Sequence, residues 1–165
     1  GEMTISQNEI EPEDGRTVKK KGFYERPNSC TSFMTNVRFV GAIKPNDCSE
    51  WFKYCNRLTE IKNVQNLYTN ECVSMYQMFN GCSSLTSLNV SGFDTSKVRT
   101  MEKMFAYCTN LTSLDLSGKF NLSNVSTFSN IFYGNYNLQS VIATKPVKDK
   151  ISNSEFVSGI TWIIK

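Results

Sequence analysis

Four related segments follow one another through the middle of the chain, and this internal repetition limits the possible folds more than any other feature. They begin at Trp51, Met78, Met104 and Ile131, giving periods of 27, 26 and 27 residues. The second position of each is Phe (Phe52, Phe79, Phe105, Phe132) and the eighth is Leu (Leu58, Leu85, Leu111, Leu138). The fifth is Cys55, Cys82 and Cys108, then Asn135 in the last copy. A chain of this kind folds by stacking its units, each burying an apolar face only against its neighbours.

Within one unit the hydrophobic period changes. Val98, Met101, Phe105 and Cys108 step by 3, 4 and 3, which predicts one face of a short helix. Asp94, Thr95 and Ser96 precede it, where side-chain oxygens cap free N–H groups. From Leu111 to Leu116 the pattern becomes an alternation, apolar at Leu114 and Leu116, which predicts a short, half-buried strand. Ser91-Gly92 and Ser117-Gly118 supply turns. The spacing L-x-x-L-x-L at 111, 114 and 116, and at 85, 88 and 90 with Val90 last, is the leucine-rich-repeat arrangement. The expected fold class is an α/β repeat. It is a short leucine-rich-repeat-like solenoid with a parallel sheet on one face and short helices on the other, capped at both ends. At strand spacing, about 4.8 Å per coil, four coils make a short, barely curved stub.

The chain divides into an N-terminal flank and cap (1–44), four repeats (45–143) and a C-terminal cap (144–165). Residues 1–26 are polar and charged and are expected to be loose or edge structure. Val37 and Phe39 suggest a strand in the first flank. Residues 144–155 are polar and hold no repeat, and Ile160 to Ile164 read as a final strand that closes the core.

Two stretches resemble a known family. One is Lys44-Pro45-Asn46-Asp47-Cys48-Ser49-Glu50-Trp51-Phe52. The other runs from Met78 to Leu88 and on through Ser91-Gly92-Phe93-Asp94-Thr95-Ser96-Lys97-Val98-Arg99-Thr100-Met101. Together they resemble the BspA-like leucine-rich-repeat surface proteins, which include the repeats of Mycoplasma-type lipoproteins. The likeness covers roughly residues 44–142. Copy one departs at Cys72, where the family has Val, and copy four lacks the Cys. The resemblance implies a secreted or surface-anchored protein used for adhesion or protein recognition, with no enzymatic activity and no cofactor. It assigns no individual binding residue.

Composition narrows the chemistry independently. The 165 residues include no histidine, which removes Ser-His-Asp triads, Cys-His dyads and histidine-ligated metals. A net charge of +3 is too weak a bias to argue for nucleic acid. No apolar run approaches the roughly 18 residues of a membrane span. Gly1 reads as the remnant of a cleaved tag, so a signal segment is expected to have been trimmed.

Cys55, Cys82 and Cys108 hold one repeat position and are expected to stack as buried, inert thiols. Cys30, Cys48 and Cys72 lie off that column, and a Cys30–Cys48 disulfide is the alternative for the first flank. No C-x-x-C occurs, so no metal site is expected. The Phe row reads as core. Tyr54 and Tyr107 share a position that is Gly in copies two and four, and they are candidate contact residues. Lys19-Lys20-Lys21 lies near acids and reads as a solvated arm. Asp94 and Asp115 recur at repeat positions and read as capping or surface groups rather than an acid–base pair.

The remaining candidate is the outer face of the sheet. Its residues would be Glu60, Lys62, Ser87, Asn89, Ser113, Asp115 and Ser140, with Ile142 beside them, standing in columns. The expected function is a non-enzymatic extracellular recognition or adhesion module for an unidentified protein or glycan ligand, possibly a host molecule, with no nucleic-acid partner. The alternative is a structural spacer or stalk domain of a larger bacterial surface protein. A hydrolase acting through paired carboxylates is a third, disfavoured reading.

Overall fold

Alternating side chains force each Leu-x-Leu segment to bury one face, and parallel pairing between successive copies lets every copy bury it the same way. The computed structural model describes residues 2–6, 34–152 and 159–165, the first stretch by its backbone path alone. Its strands are β1 (Glu2–Ser6), β2 (Asn36–Val40), β3 (Glu60–Lys62), β4 (Ser87–Asn89), β5 (Ser113–Leu116), β6 (Ser140–Ala143) and β7 (Thr161–Ile164). A 3-10 turn (Val64–Asn66) follows β3, and one α-helix, α1 (Lys145–Ile151), follows β6. All pairings are parallel, in two sheets ordered β1-β2-β3 and β4-β5-β6-β7. The register repeats the sequence period: Leu88 opposes Leu114, which opposes Val141, which opposes Trp162. The molecule is a parallel solenoid of about five coils, resembling a leucine-rich-repeat protein.

The expected row of helices is absent among the described residues of the repeats, and this corrects the sequence reading. Residues 101–108 instead form tandem tight turns. Met104 N–H bonds to the Met101 carbonyl and Ala106 N–H to that of Lys103. The intervening N–H groups point to the next coil: Met101 to Thr127 (2.7 Å), Lys103 to Ser129 (3.1 Å), Phe105 to Ile131 (3.1 Å) and Tyr107 to Tyr133 (2.7 Å). Coils one and two repeat the scheme, as when Phe52 N–H bonds to Met78 and Phe79 N–H to Met104. An α-helix closes its N–H groups on itself and leaves none for a neighbour. A helix is also about 10 Å wide, whereas strands stack at about 4.8 Å. The turn ladder lets both sides of each coil share one spacing. Its cost is backbone: φ is positive at Glu50 and Tyr54, at Gln77 and Gly81, at Lys103 and Tyr107, and at Asn130 and Gly134.

The Phe row is core, as expected. Phe52, Phe79 and Phe105 are fully buried, and Phe132 nearly so. Neighbouring ring centroids lie 5.3, 5.8 and 6.1 Å apart along the stack. Phe39 of β2 continues it edge-on at 6.3 Å.

The flanks differ in detail. Most of residues 1–26, with Lys19-Lys20-Lys21 and Cys30, lies outside the described residues, but β1 pairs with β2 as an edge strand. After β6 the polar stretch contains α1, which has Pro146 in its first turn and buries Val147 and Ile151. Lys150 reaches back to the carbonyls of Leu122 and Val125. The final strand forms as β7, and Ile160 and Trp162 pack against the core from that end. It is the edge of its sheet, with Ile163 and Ile164 exposed.

Candidate functional site

On the sheet face, β4, β5 and β6 align Ser87, Ser113 and Ser140 in one column, extended by Thr161. Asn89, Asp115 and Ile142 form the next, extended by Ile163. Ser87 and Asn89 are exposed, whereas Ser113, Asp115, Ser140 and Ile142 are half-buried. Glu60 and Lys62 belong to the other sheet. They face each other at 3.5 Å and oppose Asn36 and Arg38 of β2. The eight residues therefore do not form one continuous ladder.

Two of them are turn formers. Asn89 Oδ1 accepts the Ser91 N–H at 2.9 Å, and Asp115 Oδ1 accepts the Ser117 N–H at 2.9 Å. The same local bond recurs at Asp47–Ser49, Asp94–Ser96 and Asn121–Ser123. These side chains start the turns that leave a strand or enter the turn ladder. Hydrogen bonds from Ser96 hold the Asp94 carboxyl below its ordinary value. The capping role read from the sequence for Asp94 is thus present, applied to a turn rather than a helix.

The cysteine column is also more specific than a row of small apolar groups. Cys82 Sγ donates to the Phe52 carbonyl and Cys108 Sγ to the Phe79 carbonyl, both at 3.1 Å. In the fourth copy Asn135 Nδ2 donates to the Phe105 carbonyl at 2.8 Å, and its Oδ1 accepts the Cys108 N–H at 2.8 Å. In copies two to four the position supplies a small donor. Burial raises the Cys82 thiol well above its ordinary value and pushes Cys108 up to about 12. Burial likewise raises Cys48. Thiols held protonated are poor nucleophiles. Two expectations need correction. Cys55 heads the column but is disulfide-bonded, so it is not a third thiol. Cys48 is a buried free thiol, which excludes the Cys30–Cys48 pairing.

A second surface lies on the turn-ladder corner. Tyr54 and Tyr107 are exposed there. Each covers the glycine one coil further on: a Cβ at Gly81 would meet Tyr54 Cδ1 at 2.7 Å, and one at Gly134 would meet Tyr107 Cδ1 at 2.8 Å. The alternation of Tyr and Gly is therefore a packing rule with a two-coil period. Tyr133 packs edge-on against Tyr107, centroids 5.3 Å apart. Nearby Tyr136 is 80% exposed, the most exposed of the large apolar side chains described. It helps line a cleft of about 390 Å³ with Gly134, Asn135, Asn137 and Gln139. Sequence reasoning found Tyr54 and Tyr107 but missed Tyr133 and Tyr136. Their only signal was a cluster of aromatics around Asn135.

Among the described residues no three His, Cys, Asp or Glu side chains converge as a metal site would need, and no helix is long and apolar enough to cross a membrane. No curated protein matches the sequence. Among solved structures, a leucine-rich repeat protein from Bacteroides ovatus ATCC 8483 matches with a TM-score of 0.60 at 19% identity. The match covers 98% of this chain and 36% of that one, so the chain spans about a third of that protein. The family model described as "Mycoplasma protein of unknown function, DUF285" matches residues 46–160. That span holds all four repeats, and the chain belongs to this BspA-like repeat family.

Proposed function

We propose that the chain is a non-enzymatic recognition module that acts outside the cell, secreted or anchored at the surface, and binds a protein or glycan ligand. One observation carries this reading: a stack of parallel coils repeats outward-facing, exposed or half-buried side chains in register. Repeat proteins use such surfaces for partners. In this reading β1 and β2 at one end, and α1 with β7 at the other, serve as caps for the stack.

The test is a binding panel of matrix proteins, mucins and glycans. The sheet face is probed with a Ser87→Arg, Ser113→Arg, Ser140→Arg variant, because Asn89→Lys or Asp115→Lys would also break a turn. Saturable binding that the variant loses supports recognition through the sheet. Binding that survives moves the site to another face. The spacer reading is favoured by the turn-forming work of Asn89 and Asp115. It gains if nothing on the panel binds at high micromolar concentration.

A further inference from the structure

We infer that the tyrosine corner, with the cleft at its end, binds a neutral, extended β-1,4-linked hexopyranose chain. This rests on the recognition reading and names the ligand class and the face. Three observations carry it.

The first is spacing. Tyr54 and Tyr107 occupy one repeat position two coils apart, and at strand spacing that separates them by roughly 10 Å along the axis. A disaccharide unit of an extended β-linked chain has about that length. Successive rings would meet every second sugar. The glycine beneath each ring lets the aromatic side chain settle against the coil. Tyr133 braces Tyr107 from the side.

The second is the cleft. Its volume of about 390 Å³ suits one or two sugar rings. Tyr136 supplies an exposed aromatic surface for the apolar face of a sugar. The side chains of Asn137 and Gln139 are exposed at the same cleft; Asn137 Nδ2 donates to the Thr109 carbonyl at 2.7 Å, which fixes that amide, and amides match hydroxyl groups as both donors and acceptors. Asn135 is committed to Cys108 and Phe105 and serves as the floor. Gly134 lies both under the Tyr107 ring and in the cleft lining, so the row and the cleft are continuous.

The third is charge. None of the described residues lining the cleft carries a group that is charged at neutral pH, and at the far end of the row Lys53, whose ammonium lies 5.3 Å from the Tyr54 ring centroid, is paired with Glu50. An acidic glycan or phosphorylated partner would find no cation among the described residues of the cleft. A protein partner is disfavoured because the row offers separated rings rather than a central apolar anchor site.

The experiment titrates the folded chain with β-1,4-linked dimers and hexamers of glucose, mannose and N-acetylglucosamine, read by calorimetry. At least one hexamer should bind more tightly than its dimer. Tyr107→Ala and Tyr136→Ala should each weaken the hexamer about five- to tenfold, the range of one aromatic contact. Tyr107→Phe should bind within about twofold of the parent, because the stacking face remains. Thermal melts of each variant establish that it is folded. No hexamer binding at millimolar concentration, or binding unchanged in both Ala variants, overturns the assignment. If a protein from the panel binds while no hexamer does, the glycan assignment falls and the recognition reading stands. If neither binds, both fall.

Discussion

Cys108 donates its S–H to the Phe79 carbonyl of the coil before it, and Asn135 makes the equivalent bond one coil later with its amide. In the second, third and fourth copies the fifth position supplies a compact donor, which need not be a sulfur. Asn135→Leu removes that donor and also strips the Cys108 N–H of its acceptor. We expect a loss of about 2–3 kcal/mol, since both groups are left unpaired, measured by urea unfolding. Asn135→Cys restores the donor alone and should cost about 1 kcal/mol. The thiols set a pH dependence as well. Burial raises Cys82 and Cys108 in the folded chain above the unfolded value of 9.0, Cys108 to about 12. Their contribution is therefore complete below pH 9 and is lost as pH rises toward 12. Unfolding free energy should fall across that window, and Cys108→Ala should flatten the slope. The donor role was not legible in the sequence, because a Cys-to-Asn change at one position looks like decay. It becomes meaningful only when the Phe carbonyl of the previous coil is seen beside it.

At the scale of elements, the strands were readable and the helices were not there to read. Leu88 and Leu114 alternate with polar neighbours, and that period belongs to strands. The steps of 3, 4 and 3 through Val98, Met101, Phe105 and Cys108 fit a helix, but tandem turns also bring those four side chains inward. Sequence period could not separate the two, because the deciding bonds run between neighbouring coils, as from Phe79 to Met104 and from Phe105 to Ile131. The far-UV circular dichroism spectrum should accordingly show strand and turn signal with little helical minimum at 222 nm. A helix in every repeat would give a strong one. The helix that does form, α1, was overlooked because its apolar face is only Val147 and Ile151. Lys150 fastens it to the third coil through the carbonyls of Leu122 and Val125 and lies over the Phe128 ring. Lys150→Met should cost about 1–2 kcal/mol, while Lys148→Met should change thermal stability little, its ion pair with Asp149 being weak and exposed.

At the scale of the whole molecule, each coil touches only its neighbours, so position along the stack decides what a substitution costs. Phe79 packs between Phe52 and Phe105, while among the described ring contacts Phe132 stacks on Phe105 alone. Phe79→Ala should cost about 4 kcal/mol, and Phe132→Ala less, in the same denaturant series. The repeat architecture was visible from the four Phe and four Leu positions. The candidate surface was half visible: the serine column of the sheet face was placed correctly, but Glu60 and Lys62 fall on a separate sheet, and the tyrosine corner depends on Tyr–Gly contacts between coils. A recognition module holds its ligand and leaves it chemically unchanged. The most direct measurement incubates the folded chain with the binding panel and weighs what is retained and what is recovered. A recognition module should show saturable retention of at least one ligand, recovered intact. Retention of nothing at high micromolar concentration, or recovery of a cleaved or modified ligand, would contradict the recognition reading.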